Sequence, residues 1–170
     1  MAMPQLLTTL PFVVRPGEGR RAPLGSVGTI HKVPGVATEG RIAVLEHTLR
    51  PRFLAAPMHR HSREDELSIV LSGKLGVKLG DDVVVAGAGS YVLKPRGQWH
   101  AYWNAGDSDL RFIELLVPAG VEGYFERLSR LFARIDAPLA DDVKTLADEY
   151  GLQIDFQSVP ALCQQFGLRF

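Results

Sequence analysis

Eight short stretches of β-type composition follow one another between residues 27 and 117, and this series constrains the fold more than any other feature of the sequence. Each stretch is rich in Val, Ile, Leu or aromatic residues, and turn-forming residues such as Pro34-Gly35 and Ser72-Gly73 separate them. No helical period lies between them. Many short strands at regular spacing predict an antiparallel sandwich or barrel. The stretches are residues 27–32, 41–49, 66–71, 74–79, 83–85, 91–93, 99–103 and 110–117.

The segments on either side of this series follow other patterns. Residues 1–25 are rich in Pro and Gly, which indicates an irregular arm with one short strand near residues 12–14. After Pro118 the apolar residues recur at helical steps, which predicts helices over 121–135 and 143–150, the second ended by Gly151, and a third from Ser158. We expect three regions: an arm over 1–25, a barrel over 26–118 and a helical extension over 119–170 that packs on one face of the barrel.

Charge and cysteine content exclude several classes of function. The 19 basic residues balance 19 acidic ones, so no overall field attracts nucleic acid or anionic lipid. The single cysteine, Cys163, cannot form an intrachain disulfide and fits a reducing compartment. Residues 1–10 lack the basic start of a secretory signal, and no window is long and apolar enough for a membrane span. We expect a cytoplasmic protein that binds neither nucleic acid nor membranes.

Two clusters of polar residues stand out against the β-type stretches. His59 and His61 lie two residues apart, so an extended strand points both imidazoles to the same side. Glu66 opens the next β-type stretch, and residues 62–65 are enough to turn the chain back antiparallel beside the histidine pair. In the second cluster, the turn Pro95-Arg96-Gly97 places His100 at the start of the strand that follows.

The two clusters together resemble the two motifs of the cupin family. The first motif is matched by His59, His61, Glu66 and Gly73, and the second, without a gap, by Gly89, Pro95, Gly97, His100 and Asn104. Phe53 departs from the pattern, since the family has Gly there. The 15 residues between Gly73 and Gly89 are typical of small single-domain members. The resemblance implies a mostly β, single-domain cupin, a double-stranded β-helix or jelly-roll barrel, here with a C-terminal helical extension.

The same resemblance implies one divalent transition metal held by four side chains: His59, His61, Glu66 and His100. Three imidazoles and one carboxylate suit Fe(II), Mn(II), Co(II), Ni(II), Cu(II) or Zn(II), and they leave one or two coordination positions open. The alternative is a set of core polar residues or a vestigial site without metal. His31 and His47 lie on earlier stretches without ligand spacing, and we expect structural or surface roles for both.

Strand alternation suggests which other side chains lie near the metal. Counting from His100 brings Gln98, Tyr102 and Asn104 to the same side, and counting from Glu66 brings in Ser68 and Val70. Tyr102 is either a hydrogen-bond donor to the substrate or a core aromatic residue. Glu114 is either a pocket acid or a subunit-interface residue. The predicted substrate pocket consists of Ser68, Gln98, Tyr102 and Glu114.

Three stretches resemble the quercetin 2,3-dioxygenase-like group of small cupins: residues 57–61, residues 66–73, and Pro118-Ala119-Gly120 leading into Tyr124-Phe125. The resemblance implies a metal-dependent oxidoreductase for a small phenolic or enolic substrate, with Glu66 as general base and Tyr102 as a second catalytic residue. The alternatives are an isomerase or decarboxylase that uses the metal as a Lewis acid, and a non-enzymatic small-molecule-binding cupin. The arm and the exposed edge strands favour a homodimer.

Overall fold

The computed structural model describes residues 13–134 and 140–170. Within these ranges the chain forms eleven β-strands and three α-helices. The strands are β1 (Arg20–Arg21), β2 (Val27–Val33), β3 (Ala43–Leu49), β4 (Met58–His61), β5 (Asp65–Ser72), β6 (Lys74–Leu79), β7 (Asp82–Gly87), β8 (Tyr91–Lys94), β9 (His100–Asn104), β10 (Leu110–Val117) and β11 (Leu152–Asp155). The helices are α1 (Glu122–Arg134), α2 (Ala140–Glu149) and α3 (Ser158–Phe166).

The strands form two antiparallel sheets that enclose an apolar interior. One sheet has the order β1-β2-β3-β10-β5-β8 and the other the order β11-β4-β9-β6-β7. Buried side chains alternate with more exposed ones along β3, β5 and β10, so these strands turn one face inward. Residues of both sheets meet in one apolar cluster, among them Val70, Val77 and Phe112. The predicted mostly β barrel is confirmed.

Each of the eight predicted stretches forms a strand, with ends that shift by two residues at most. The strand predicted near residues 12–14 is wrong for Val13 and Val14, which lie outside any strand, and Phe12 lies outside the described residues. The strand of the arm is instead β1, where Arg20 pairs with His31 of β2. Arg20 also forms an ion pair with Glu126 of α1, which holds the arm at this point.

The antiparallel neighbour arrangement expected for His59, His61 and Glu66 is also wrong. Strand β4 pairs with β9 on one edge and β11 on the other, so neither edge is open to β5. Strand β5 pairs with β10 and β8 in the other sheet. The loop after His61 therefore carries the chain from one sheet to the other, and Glu66 faces the two histidines across the barrel interior.

The C-terminal extension packs in two places, whereas we expected it on one face. Helices α1 and α2 pack against Leu45 and Leu116 of the six-stranded sheet. Helix α3 covers the outer face of β9, where Phe166 stacks on Trp103 at a centroid distance of 4.3 Å. The extension also supplies β11, which the helical pattern did not predict. Ile135, the predicted end of the first helix, lies outside the described residues. None of the described helices has the length and apolarity needed to cross a bilayer.

Candidate metal centre

Four side chains converge in the barrel interior: His59, His61, Glu66 and His100. Each offers one ligand atom, and the four atoms lie within 4.8 Å of one another. His59 of β4 pairs directly with His100 of β9, with ring centroids 4.2 Å apart, and Glu66 approaches from β5 of the opposite sheet. His61, Glu66 and His100 are at most 2% exposed and His59 is 9% exposed. The structure thus brings together the four predicted ligands.

The turn before β9 places His100 beside β4. Gly97 has a φ of +78°, a left-handed conformation that glycine adopts without steric cost. Its backbone N–H donates a 2.6 Å hydrogen bond to the carbonyl oxygen of His61. Arg96 of the same turn forms a 2.7 Å ion pair with Asp65 at the start of β5. One turn is therefore tied to both strands that carry the remaining ligands.

Hydrogen bonds at Nδ1 leave the Nε2 atoms of His59 and His100 free for the centre. The Nδ1 of His59 donates to the Pro57 carbonyl oxygen at 2.8 Å, and the Nδ1 of His100 donates to the Gln98 carbonyl oxygen at 3.1 Å. A carbonyl oxygen only accepts, so each Nδ1 carries the proton and each Nε2 keeps its lone pair. The Nδ1 of His61 faces the buried carboxylate of Glu64 at 3.6 Å. Such outer acceptors are typical of metal-ligating histidines.

The donor set fits a divalent metal. Among the described residues, both ring nitrogens of His61 are buried without a hydrogen-bond partner, although Nε2 lies 3.2 Å from Glu66 Oε1. Buried polar atoms without a partner are costly, and a cation between the four side chains would satisfy Nε2 of His61, while Nδ1 faces Glu64. Three imidazoles and a carboxylate are a nitrogen and oxygen set suited to first-row transition metals.

Burial and neighbouring charges shift the pKa of each of the four groups. Burial, together with the neighbouring imidazoles, holds the pKa of His59 well below its usual range, and burial also lowers the pKa of His100. Burial alone would lower the pKa of His61, but Glu66 and Glu64 raise it to about 9. Burial likewise opposes ionisation of Glu66, yet Lys94 and His61 hold its pKa well below the ordinary value. These shifts favour an ionised Glu66 and neutral imidazoles at His59 and His100, whereas a metal would have to displace the proton of His61.

A buried lysine that the sequence reasoning missed lies against this centre. The Lys94 side chain is 0% exposed, and its Nζ lies 2.9 Å from Glu66 Oε2. The same Nζ donates a 3.0 Å hydrogen bond to Glu114, whose other oxygen accepts a 2.9 Å hydrogen bond from the Ser68 hydroxyl. The Lys94 ammonium also lies 4.6 Å from the ring centre of Tyr102. A Lys94–Glu114 ion pair therefore fills the interior beside the ligand Glu66.

The alternation of side chains along β8 could have predicted that Lys94 is buried. Along β8 the exposed residues Tyr91 and Leu93 alternate with the buried residues Val92 and Lys94. The same alternation rule that placed Ser68 inward also places Lys94 inward if Val92 is taken as a core residue. Glu114, already predicted on an inward face, would then be its partner, because buried charges require a counter-charge.

The other predicted pocket residues fall into two groups. Ser68, Tyr102 and Glu114 are buried in the interior, and this position excludes the subunit-interface alternative for Glu114. Burial raises the pKa of Glu114 above its ordinary value, although Lys94 opposes this shift, and burial raises the pKa of Tyr102 well above its ordinary value. Gln98 instead lies half-buried in the loop before β9, near Gly80, so strand alternation does not extend to it. Contact of these four residues with a substrate stays a prediction.

Three further polar residues serve the fold. The Asn104 side-chain amide donates to the carbonyl oxygens of Leu49 and Ser108, so it fixes backbone and does not face the centre. His47 is buried, and its Nδ1 is hydrogen-bonded to the Thr29 hydroxyl at 3.0 Å. His31 is buried beside Glu126 of α1, 3.8 Å from its carboxylate. Neither histidine belongs to the four-residue cluster.

Comparison with known proteins agrees with this geometry. The cupin domain family matches residues 45–117, a range that contains all four candidate ligands. A search of curated proteins finds no match.

Solved structures share the fold at low sequence identity. A protein described as a predicted oxalate decarboxylase from Thermotoga maritima aligns with a TM-score of 0.57 and 23% identity, over 63% of this chain and 99% of that one. A cupin sugar phosphate isomerase from Silicibacter pomeroyi gives 0.53 and 18%, over 62% and 74%. Pac13, a nucleoside dehydratase of Streptomyces, gives 0.54 and 16%, over 66% and 86%.

Proposed function

We propose that the protein is a cupin and a metal-dependent enzyme that acts on a small substrate inside the barrel, and the match of residues 45–117 to the cupin domain family supports this proposal. The convergence of His59, His61, Glu66 and His100 carries the proposal, since their donor atoms lie within 4.8 Å of one another. Fe(II), Mn(II), Co(II), Ni(II), Cu(II) and Zn(II) all suit this donor set, and four protein ligands leave positions open for a substrate.

The residues around the centre have distinct roles in this proposal. A divalent metal held by the four ligands supplies Lewis-acid polarisation of a substrate oxygen. Tyr102 keeps its proton, because burial raises its pKa, and it serves as a hydrogen-bond donor. The contact with Lys94 lowers the proton affinity of Glu66. Glu66 therefore acts as the general base only if substrate binding weakens that ion pair.

Two reactions fit the centre. The first candidate is dioxygenase-like oxidation of a phenolic or enolic substrate, which the resemblance of residues 57–61 and 66–73 to quercetin 2,3-dioxygenase-like cupins supports. The second is isomerisation or decarboxylation without dioxygen, in which the metal would polarise a carbonyl oxygen of the substrate. The lowered proton affinity of Glu66 favours the decarboxylation, which needs no base to remove a proton from carbon. The fold shared with proteins described as a decarboxylase and an isomerase is compatible with the second candidate.

Oxygen uptake separates the two reactions. The purified protein is loaded with each metal in turn and screened with phenolic and diketone substrates in an oxygen electrode, with product analysis of every reaction. The dioxygenase-like reaction is supported if oxygen uptake disappears in His100→Ala and persists in His31→Gln. Metal-dependent product formation without uptake supports the Lewis-acid reaction. If neither oxygen uptake nor product formation depends on a metal for any substrate, both reactions are contradicted, and a non-enzymatic binding protein is the remaining alternative.

We also propose a homodimer formed through the outer face of the six-stranded sheet. Four apolar side chains are exposed there, Leu71 of β5, Val117 of β10, and Tyr91 and Leu93 of the edge strand β8, and Tyr91 reaches 68% exposure. A second copy of the chain would cover this apolar face. Light scattering after size exclusion should give a dimer that Leu93→Glu dissociates. Val85→Glu, on β7 of the other sheet, is the control, and a monomeric wild-type protein would contradict the proposal.

For the compartment, we propose the cytoplasm. Cys163 is half-buried and free, and a chain with one cysteine gains no intrachain disulfide from an oxidising environment. Cell fractionation with an antibody against the protein tests this proposal, and recovery in a membrane or secreted fraction would contradict it.

A further inference from the structure

The Lys94 ammonium is a fixed charge with a complete set of partners. Its Nζ lies 2.9 Å from Glu66 Oε2 and 3.0 Å from Glu114, and it faces the Tyr102 ring at 4.6 Å. Two carboxylates and an aromatic ring thus surround the ammonium, and the Lys94 side chain is 0% exposed, so a direct contact with a substrate is disfavoured. An influence of Lys94 on the reaction must therefore act through its charge and through Glu66.

Lys94 and Glu114 differ in how they contact the four candidate ligands. Lys94 contacts the ligand Glu66 directly, whereas the hydrogen bonds of Glu114 among the described residues go to Lys94 and Ser68. The side chains of Lys94, Glu66 and Glu114 are at most 3% exposed, so water screens these charges weakly. Because the electrostatic energy falls with distance, the cation dominates the potential at the metal position.

We propose that Lys94 is a specificity-determining residue that weakens binding of the divalent metal and strengthens binding of an anion to that metal. The site thereby selects a substrate that presents one anionic oxygen group, such as an enolate, a phenolate or a carboxylate. Glu114 is the positioning residue that holds Lys94 and offsets part of its charge. This inference rests on the proposed function, since it requires a metal between the four ligands.

Two variants change the charge beside Glu66 in opposite directions. Glu114→Gln removes a negative charge and keeps an oxygen acceptor for Lys94, so Co(II) should bind about tenfold more weakly and azide about tenfold more tightly. The double variant Lys94→Met with Glu114→Gln removes both members of the ion pair, and Glu66 keeps its contacts with His61 and His100. In that protein Co(II) should bind about tenfold more tightly and azide about tenfold more weakly.

Both affinities are measured without turnover. Competition with a chromophoric chelator gives the Co(II) affinity, and the absorption bands of the saturated Co(II) protein report the binding of azide, the monoanion probe. Lys74→Met is the control, because Lys74 is an exposed lysine at the start of β6, outside the centre. Structural damage to the centre would lower both affinities together, whereas a charge effect moves them in opposite directions.

The outcomes separate this inference from the proposed function. Opposite movements of the Co(II) and azide affinities in both variants support it. A parallel loss of both affinities, or changes no larger than those of Lys74→Met, would reject the role of Lys94 and leave the metal centre standing. Failure of the wild-type protein to bind one equivalent of Co(II) would overturn the proposed function and this inference with it.

Discussion

At the scale of single residues, the ligand histidines depend on acceptors close to them in the chain. The carbonyl oxygens of Pro57 and Gln98 hold two of the imidazoles, and the Glu64 carboxylate faces the Nδ1 of His61 at 3.6 Å. Backbone acceptors cannot be removed by substitution, but Glu64 can. Glu64 is 3% exposed, and its Oε2 has no hydrogen-bond partner among the described residues.

We predict that Glu64→Ala lowers the affinity for divalent metal by about tenfold, because loss of an outer acceptor leaves the ligand imidazole without orientation. Glu64→Gln keeps an oxygen in place and should lose less. Chelator competition with Zn(II) measures both variants, and Glu18→Ala, on the exposed arm, is the control. Wild-type affinity in Glu64→Ala would show that His61 is oriented by other contacts.

The lowered pKa of the buried His47 predicts that the protein becomes less stable as the pH falls. Burial, reinforced by the Lys94 charge, lowers the pKa of His47 from 6.5 to about 3. The unfolded chain thus binds one more proton than the folded chain between these values, and the free energy of unfolding falls as the pH drops below 6.5. This one residue should cost about 2 kcal/mol between pH 7 and pH 5. Urea unfolding at both pH values should show a loss that is smaller by this amount in His47→Gln, and equal losses would contradict the prediction.

Reasoning from single residues placed His59 and His61 on one side of a strand and missed Lys94, and both outcomes follow from the local range of strand alternation. Alternation in a strand is local, so His59 and His61 reveal their shared side within three residues. Burial of a lysine depends on counter-charges from elsewhere, and Glu66 and Glu114 lie 28 and 20 residues before and after Lys94. A charged residue is expected on the surface unless such partners are known.

At the scale of elements, strand composition predicted which segments are strands and could not assign strands to sheets. The pairing of β4 with β11 joins His59 to Ile154, almost a hundred residues later, while β5 pairs with β10 and β8 in the other sheet. Strand β11 escaped prediction because its four residues lie between two helical segments. The ligand Glu66 consequently arrives from across the barrel and not from a neighbouring strand.

Helix α3 supports the strand that carries His100. All five residues of β9 are buried, since Tyr102 faces the interior while Ala101 and Trp103 pack under α3 with Leu162. We predict that Leu162→Ala lowers the free energy of unfolding by about 2–4 kcal/mol, the usual cost of a cavity in a packed core. Val85→Ala, at a position that is 60% exposed, should change it by less than about 0.5 kcal/mol. Urea unfolding compares the two, and equal effects would mean that α3 does not stabilise β9.

At the scale of the whole molecule, the barrel gathers charged groups into an apolar interior. Glu66, Lys94 and Glu114 are each at most 2% exposed, although the chain as a whole has zero net charge. Placing such groups in the core is unfavourable unless they are paired or bind a metal. The ion pair accounts for Lys94 and Glu114, and the proposed divalent metal would account for Glu66 and the three histidines.

The metal content of the purified full-length protein tests the central claim most directly. Elemental analysis should find close to one equivalent of a divalent transition metal per chain in the wild-type protein and in His31→Gln, whose histidine is buried outside the cluster. The same analysis should find little metal in His100→Ala. A wild-type protein without a divalent metal even after incubation with each ion, or a His100→Ala variant that retains a full equivalent, would contradict the assignment of these four side chains as a metal centre.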